Sequence, residues 1–473
     1  MVFSSIFFLL YFLPIFLLGY HFIDKKYKNY WILASSIFFY AWGAPKFIFV
    51  VLAAAIVDYS LVNKMHAVEN RTHKKRWLVF SLLLNIGLLA YFKYANFFIE
   101  NVNALLEAMG VTTIAWTEIA LPIGISFYIF QSITYAVDVY RGVNPPVKNF
   151  SLYLLFILSF PQMIAGPIVK FNHIAHQLAN RDETADDRLL GFYRFCIGLG
   201  KKVLIANVLA VYADRVLNGD LHAASSAAVW MGIIAYTFQI YFDFSGYSDM
   251  AIGLGRMIGF KFPENFDSPY LSATISEFWR RWHMTLGGFM KEYLYIPLGG
   301  SRGVSKNRVL LNLGIVFLLS GLWHGASWNF ILWGAFHGLF LILDRLFLIR
   351  LLNKLGTIVS VVVTFFIVVV GWAIFRMEDF DAMKLVLEKM FSFEAGTAIQ
   401  LSLEYWVVLA VAVFFSVVTA FRFGKMAETF FLHQETASVA AHFTLFVIAV
   451  ALLMLSISGI AASGFNPFIY YRF

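Results

Sequence analysis

Long apolar blocks recur from one end of this chain to the other, and they set the class of fold before any single residue is considered. "FSSIFFLLYFLPIFLLGYHF" opens the series, and "FTLFVIAVALLMLSISGIAA" comes near its end. At roughly 20 residues per crossing, such blocks allow about ten to twelve membrane spans. Charged residues are only 14% of the 473, where soluble proteins carry about 25%. The chain therefore reads as an all-α, polytopic transmembrane protein, not a soluble domain with one anchor. The opening stretch has no basic flank and no small-residue cleavage site, so it reads as a retained first span.

Charge between the blocks orients them, because Lys and Arg stay on the cytoplasmic side. The loop at 63–76 holds Lys64, Arg71, Lys74, Lys75 and Arg76 against Glu69 alone, and reads as cytoplasmic. The loop at 99–118 holds Glu100, Glu107 and Glu118 with no base, and reads as external. A span at 119–140 returns to Arg141 and Lys148. The stretch 151–171 is apolar but broken by Pro161, Gly166 and Pro167, a pattern tolerated where the backbone is buried in protein or lines a cavity. Helical patterns follow at about 189–217 and 227–260, and which of them cross fully is left open. The stretch 272–308 is too charged to span and too aromatic for a free loop, so it reads as amphipathic and partly re-entrant. Spans are expected at about 309–322, 328–347, 356–375, 405–421 and 440–462, with an external stretch at 376–404 and the C-terminus outside. "FDAMKLVLEKMF" in that stretch has the pattern of a surface helix.

Polar residues inside this apolar frame are the functional candidates, since each is costly there. His324 lies in "GLWHGASWNFILWGAFHG", between Trp323 and Gly325. The flanking Gly321 and Gly325 would let backbones approach closely or let a helix end. One reading is a buried histidine bonded to a carbonyl; the other is a neutral imidazole acting as general base. His283, in "FWRRWHMTL", is flanked by Trp279, Arg280, Arg281 and Trp282. The arginines suit phosphate, as a coenzyme A tail would offer, or else form part of a positive-inside charge run. His337 follows His324 by 13 residues. On one unbroken helix the two would stand about 140° and about 20 Å apart, which favours a packing role for His337. Asp243 and Asp249 lie in "QIYFDFSGYSDMAIGLGRMIGF" beside Ser245, Tyr247 and Ser248. They form either a functional site or a polar network holding a helix break at Gly246. The glycines at 253, 255 and 259 open no βα unit and suit close helix packing.

Absences narrow the classes further. Cys196 is the only cysteine, so an intrachain disulfide and a cysteine metal site are excluded, and it reads as a small core hydrophobe. No G-x-S-x-G elbow, P-loop or H-E-x-x-H is present. The 52 phenylalanines read as bulky outer faces and groove walls rather than a cofactor box. No metal, bound cofactor or nucleic-acid partner is expected; the partner implied by composition is membrane lipid.

Taken together, "FWRRWHMTLGGFMKEYLYIPLGGSRG" followed by "GLWHGASWNFILWGAFHG" resembles the membrane-bound O-acyltransferase family. "FQSITYAVDVYRG", "FPQMIAGPIVKF" and "QIYFDFSGYSDMAIGLGRMIGFKFPENFDSPY" match its bacterial branch that acetylates alginate and related exopolysaccharides. The resemblance covers nearly the whole chain. It implies a single domain over 1–473, with core motifs at about 119–347 and re-entrant segments around a central funnel. It implies a bacterial inner-membrane enzyme taking acetyl from cytoplasmic acetyl-CoA toward O-acetylation of an extracytoplasmic polysaccharide, directly or through a periplasmic partner of the SGNH type. His324 is then the expected base and His283 the second functional histidine. Arg280 and Arg281 would meet the coenzyme A phosphates, Trp282 and Trp323 would wall the reacting group from water, and Asp243 would contact substrate. Peptidoglycan acetylation or D-alanyl transfer to teichoic acid is the nearest alternative. A proton-coupled transporter or polymer-export subunit, with His324 and Asp243 as relay groups, and a passive scaffold are the rivals from other classes.

Overall fold

The computed structural model describes residues 2–163 and 166–463; the C-terminus, expected outside, falls beyond the described residues. Helices dominate, and among the described residues two isolated bridges are the sole β pairing. Seven helices there are long and apolar enough to cross a membrane. The chain divides into two compact units, residues 8–182 with 260–262, and residues 2–7, 183–259 and 263–473.

The first unit holds α1 (Phe8–Phe22), α2 (Lys28–Gly43), α3 (Phe47–Ala67), α4 (Arg71–Ala108), α5 (Ile125–Arg141) and α6 (Phe150–Leu158). Only α3 and α4 of these reach membrane length, because α1, α2, α5 and α6 are cut short by turns. Phe8, Phe12 and Phe16 recur every fourth residue and so share one face of α1. Phe160 packs edge-on to Phe12 and Phe16, at 5.3 and 4.9 Å between ring centroids, and Phe39 of α2 lies 5.4 Å from Phe160. The phenylalanines thus build interior as well as outer faces. Asp58 of α3 is buried and accepts hydrogen bonds from Ser81 Oγ (2.5 Å), Asn85 Nδ2 (3.0 Å) and Tyr153 Oη (2.6 Å). An intramembrane carboxylate is tolerated when its oxygens are satisfied, and these bonds tie α3 to α4 and α6.

The second unit is built on α7 (Ala185–Leu217) and α8 (Ser226–Met257). Both are long and apolar enough to cross a membrane. Helix α8 runs unbroken for 32 residues, about 48 Å at 1.5 Å per residue. The expected break at Gly246 is therefore corrected: the glycine serves contact instead. A Cβ on Gly246 would stand 2.7 Å from the carbonyl oxygen of Gly198, and one on Gly253 would stand 2.5 Å from that of Gly191. Two glycines seven residues apart on each helix let antiparallel backbones touch, as small residues do in membranes. The same seam carries charge. Arg194 and Lys201 of α7 reach Asp249 of α8 at 2.8 and 2.6 Å, and Lys202 reaches Asp243 at 2.7 Å. A π turn over Lys201–Ala206 widens α7 where the two lysines leave it.

The rest of this unit brings α9 (Ile275–Arg281), α10 (Met284–Phe289), α11 (Lys306–His324), α12 (Trp328–Leu343), α13 (Thr357–Arg376), α14 (Phe380–Ser392), α15 (Leu403–Ala420), α16 (Arg422–Leu432) and α17 (Val439–Ser463). The stretch expected to be re-entrant forms the short pair α9 and α10 followed by a π turn, and "FDAMKLVLEKMF" forms α14 as its pattern predicts.

Candidate active site

His324 is the last residue of α11, and the chain turns at Gly325 before α12 begins. The turn is tight because small residues face each other across the hairpin. A Cβ on Gly321 would stand 2.2 Å from the carbonyl oxygen of Phe330, and one on Gly334 2.4 Å from that of Phe317. The imidazole is buried and enclosed by Trp323, Trp333 and Phe375, at centroid distances of 4.9, 5.0 and 5.3 Å. The hairpin also corrects the helical separation of His324 and His337. They sit on facing helices and both pack on Trp333, at 5.0 and 5.1 Å. His337 is wholly buried between Trp279, Trp333 and Phe336, in keeping with a packing role.

His283 lies between α9 and α10 with φ 46°, a left-handed backbone uncommon outside glycine. What holds it there is the strand-like stretch 265–267. Phe266 bridges Trp282 antiparallel, Asp267 N–H donates to the carbonyl of Arg281 (3.0 Å), and Met284 N–H donates to that of Asn265 (2.9 Å). The His283 ring meets Phe244 edge-on at 4.7 Å, and its Nδ1 lies 3.0 Å from Asn265 Oδ1. Burial pushes the imidazole down to about 3, so it is neutral at physiological pH. Its Nε2 is buried with no hydrogen-bond partner among the described residues. His283 and His324 both pack near Trp323, at 6.0 and 4.9 Å between centroids. Residues 41 apart in sequence are thus gathered about one indole.

A cavity of about 310 Å³ opens beside His283. Its walls are chiefly apolar, including Leu286, Met290, Leu313, Val316, Phe317 and Leu341. Arg280, Lys291 and Arg345 line it and are exposed, whereas His283 is buried, so the cavity runs from a basic rim to a neutral histidine. Trp279 Nε1 and Tyr295 Oη, on two other lining residues, are likewise buried with no hydrogen-bond partner among the described residues. Buried polar atoms left open in this way suit a ligand that accepts and donates hydrogen bonds.

The remaining candidates are divided. Arg280 lines the cavity, but Arg281 turns away into ion pairs with Glu277 (2.9 Å) and Asp267 (3.7 Å). Trp282 is buried in a ring cluster with Tyr241, Phe266, Phe278 and Trp372. Asp243 is paired with Lys202 and lines neither this cavity nor the next. Asn265, Lys291, Tyr295 and Arg345 escaped the sequence reading as site residues. For Lys291 and Tyr295 the available signal was the charged, aromatic stretch 272–308 that holds them; for Arg345 and Asn265 there was none.

A smaller polar cavity of about 40 Å³ lies on the Asn265 side, lined in part by Ser248, Asp249, Glu264, Glu428 and His433. Burial pushes the Glu264 carboxyl up, but two hydrogen bonds and the charge of Arg194, with help from His433, hold it at about 2. The hydrogen bond to Glu264 raises His433 above its ordinary value, against burial. Glu264 thus contributes stability that is present above about pH 4.3 and lost as pH falls toward its folded value. His433 contributes in the opposite sense: fully below about pH 6.5, and less as pH rises through its higher folded value. The thermal midpoint of the purified protein is expected to fall slightly from pH 6 to pH 8, and His433→Gln to flatten that slope. A differential scanning measurement across that range checks it, and an unchanged slope in the variant would refute it.

Comparison with known proteins gives the family. The model of MBOAT, the membrane-bound O-acyltransferase family, matches residues 22–377, a stretch that takes in every residue lining the larger cavity. The probable alginate O-acetylase of Azotobacter vinelandii is 40% identical over 100% of both chains. The peptidoglycan O-acetyltransferase of Helicobacter pylori is 36% identical over 85% of this chain and 82% of its own. The teichoic acid D-alanyltransferase of Bacillus subtilis is 27% identical over 54% of this chain and 69% of its own.

Proposed function

This chain belongs to the membrane-bound O-acyltransferase family and is a multi-pass acyltransferase, and on that premise we propose that it transfers acetyl from acetyl-CoA toward O-acetylation of an extracytoplasmic polysaccharide of the alginate type, in the bacterial inner membrane. The observation that carries the reading is the cavity with Arg280, Lys291 and Arg345 at its rim and neutral His283 within. Three cations suit the phosphates of a coenzyme A donor, and apolar walls keep water from a thioester. Identity along the full length of a probable alginate O-acetylase supports acetyl as the group and a polysaccharide as the acceptor. Such a polymer lies outside the cytoplasm, which is why a periplasmic partner of the SGNH type belongs to the proposal as the alternative first acceptor.

The chemistry needs a base for the acceptor hydroxyl and a means of holding the thioester. His324 is assigned the first task. It takes the hydroxyl proton as oxygen attacks the acyl carbon; the new C–O bond forms, the C–S bond breaks, and the proton ends on the coenzyme A sulfur. His283, which lines the donor cavity, orients the thioester or shares the proton. Trp323, in contact with both imidazoles, walls the reacting group. Arg280 meets phosphate, while Arg281 and Trp282, engaged within the protein, support the segment that carries His283.

The test is labelled acetyl-CoA given to membranes holding the full chain, with polymer and the candidate periplasmic partner. Label on polymer or partner with matching release of free coenzyme A is expected. A transporter or scaffold would leave the thioester intact, and that result would overturn the proposal.

A further inference from the structure

We propose that Asn265 is the positioning residue of His283: its side-chain oxygen fixes the imidazole as the Nδ1–H tautomer and leaves the Nε2 lone pair free toward the reacting group. The inference deepens the reading above and rests on His283 belonging to the reaction site.

The argument begins with the orientation of the amide. The backbone N–H of Thr285 points at the Asn265 side chain at 3.3 Å, and a backbone N–H can only donate. The atom it meets is therefore the oxygen, Oδ1. The opposite atom, Nδ2, lies 3.0 Å from Ser248 Oγ, to which it donates. The Ser248 hydroxyl could donate or accept, so the Thr285 N–H is what decides an assignment that amides otherwise leave open. Oδ1 also accepts from the Thr285 hydroxyl at 2.9 Å. His283 Nδ1 stands 3.0 Å from the same oxygen, which has no proton to give. Nδ1 must then carry the hydrogen, and the neutral ring keeps its lone pair on Nε2. That atom is buried, with no hydrogen-bond partner among the described residues, on a residue lining the donor cavity.

The backbone supports the same purpose. Asn265 O accepts from Met284 N–H, so one residue holds both the ring and the next peptide of the left-handed turn at His283. Charged groups flank His283 on both sides. Behind Asn265, Glu264 is matched by Arg194, and Asp249 by Arg194 and Lys201, while Glu428 and His433 line the polar cavity. On the donor side the charged lining groups are the cations Arg280, Lys291 and Arg345. A neutral amide as orienter, where a carboxylate would draw a proton onto the ring, keeps the imidazole a base.

Two variants of the full chain test this, with transfer measured in membranes at matched abundance. Asn265→Leu removes the acceptor and is expected to lower kcat by about 10²- to 10⁴-fold, the range for a lost acid–base group or tautomer, with KM within about threefold. Asn265→Asp keeps the shape and places a carboxylate against Nδ1–H. The acid limb of its kcat/KM profile is expected to move up by at least about one pH unit. A merely structural asparagine would lower abundance and thermal midpoint without moving that limb. If Asn265→Leu fails to fold, the isosteric Asn265→Asp decides alone: an unmoved limb overturns the proposal. In the background of His283→Ala any shift should vanish. Native transfer by His283→Ala would instead sink the placing of His283 in the reaction site, a failure distinct from that of Asn265.

Discussion

His324→Ala, compared with the native chain at matched abundance, is expected to lower acetyl transfer by about 10²- to 10⁴-fold, the usual worth of a positioned base. Binding of the donor should change little, because the residues lining the cavity, His283 and Arg280 among them, do not include His324. His283→Ala should also cripple transfer, and it should raise KM for the donor as well, since His283 lines that cavity. The two variants therefore separate by the KM-against-kcat split. Both substitutions leave space beside Trp323, whose ring is shared by the two imidazoles. His324→Gln and His283→Gln fill that space without restoring a base, and they control for collapse of the indole. Free coenzyme A and labelled product are measured together. Native transfer by His324→Ala would show that the histidine is a packed polar residue, and the base would then be sought at His283.

The histidines were legible in the sequence because each breaks a local rule. An ionisable ring in an apolar run, beside glycines or arginines, is costly enough to need a use. The helical frame was legible for the same reason in reverse, since apolar blocks of span length have few other fates. What escaped was pairing between distant segments. Asn265 stands 18 residues before His283 and meets it only because 265–267 lies antiparallel to 281–284. Nothing in "PENFDSPY" announces that contact. The spacing argument for His324 and His337 assumed one helix, and the hairpin at Gly325 overturns it. Gly246 misled in a related way. A glycine inside a polar run suggests a break, yet its missing side chain serves a contact with Gly198 on another helix. Arg280 and Arg281 are neighbours in sequence, but helical geometry turns them to different partners, Arg280 to the cavity and Arg281 to Glu277.

Lys202→Met is expected to destabilise the folded enzyme by about 3–5 kcal/mol, because it removes one partner of a buried ion pair. Lys202 and Asp243 are each only 2% exposed at the side chain and stand 2.7 Å apart across α7 and α8. Asp243→Leu should cost a similar amount by removing the other partner. The double variant, Lys202→Met with Asp243→Leu, removes both charges at nearly constant volume, and it should recover most of the lost stability. Thermal midpoint and folded yield read the first half of this expectation, and acetyl transfer reads the second. If Asp243 serves only to match Lys202, the double variant transfers acetyl as the native chain does. If Asp243 contacts substrate or relays protons, the double variant folds and stays inactive. The first outcome is expected, since Asp243 lines neither cavity and its carboxylate is already matched. The π turn over Lys201–Ala206 then has a structural explanation. It lies where two successive lysines reach two carboxylates of one helix. The intramembrane charge of α8 would thus be the fastening of a seam that also carries glycine contacts, while the chemistry is left to the imidazoles beside Trp323.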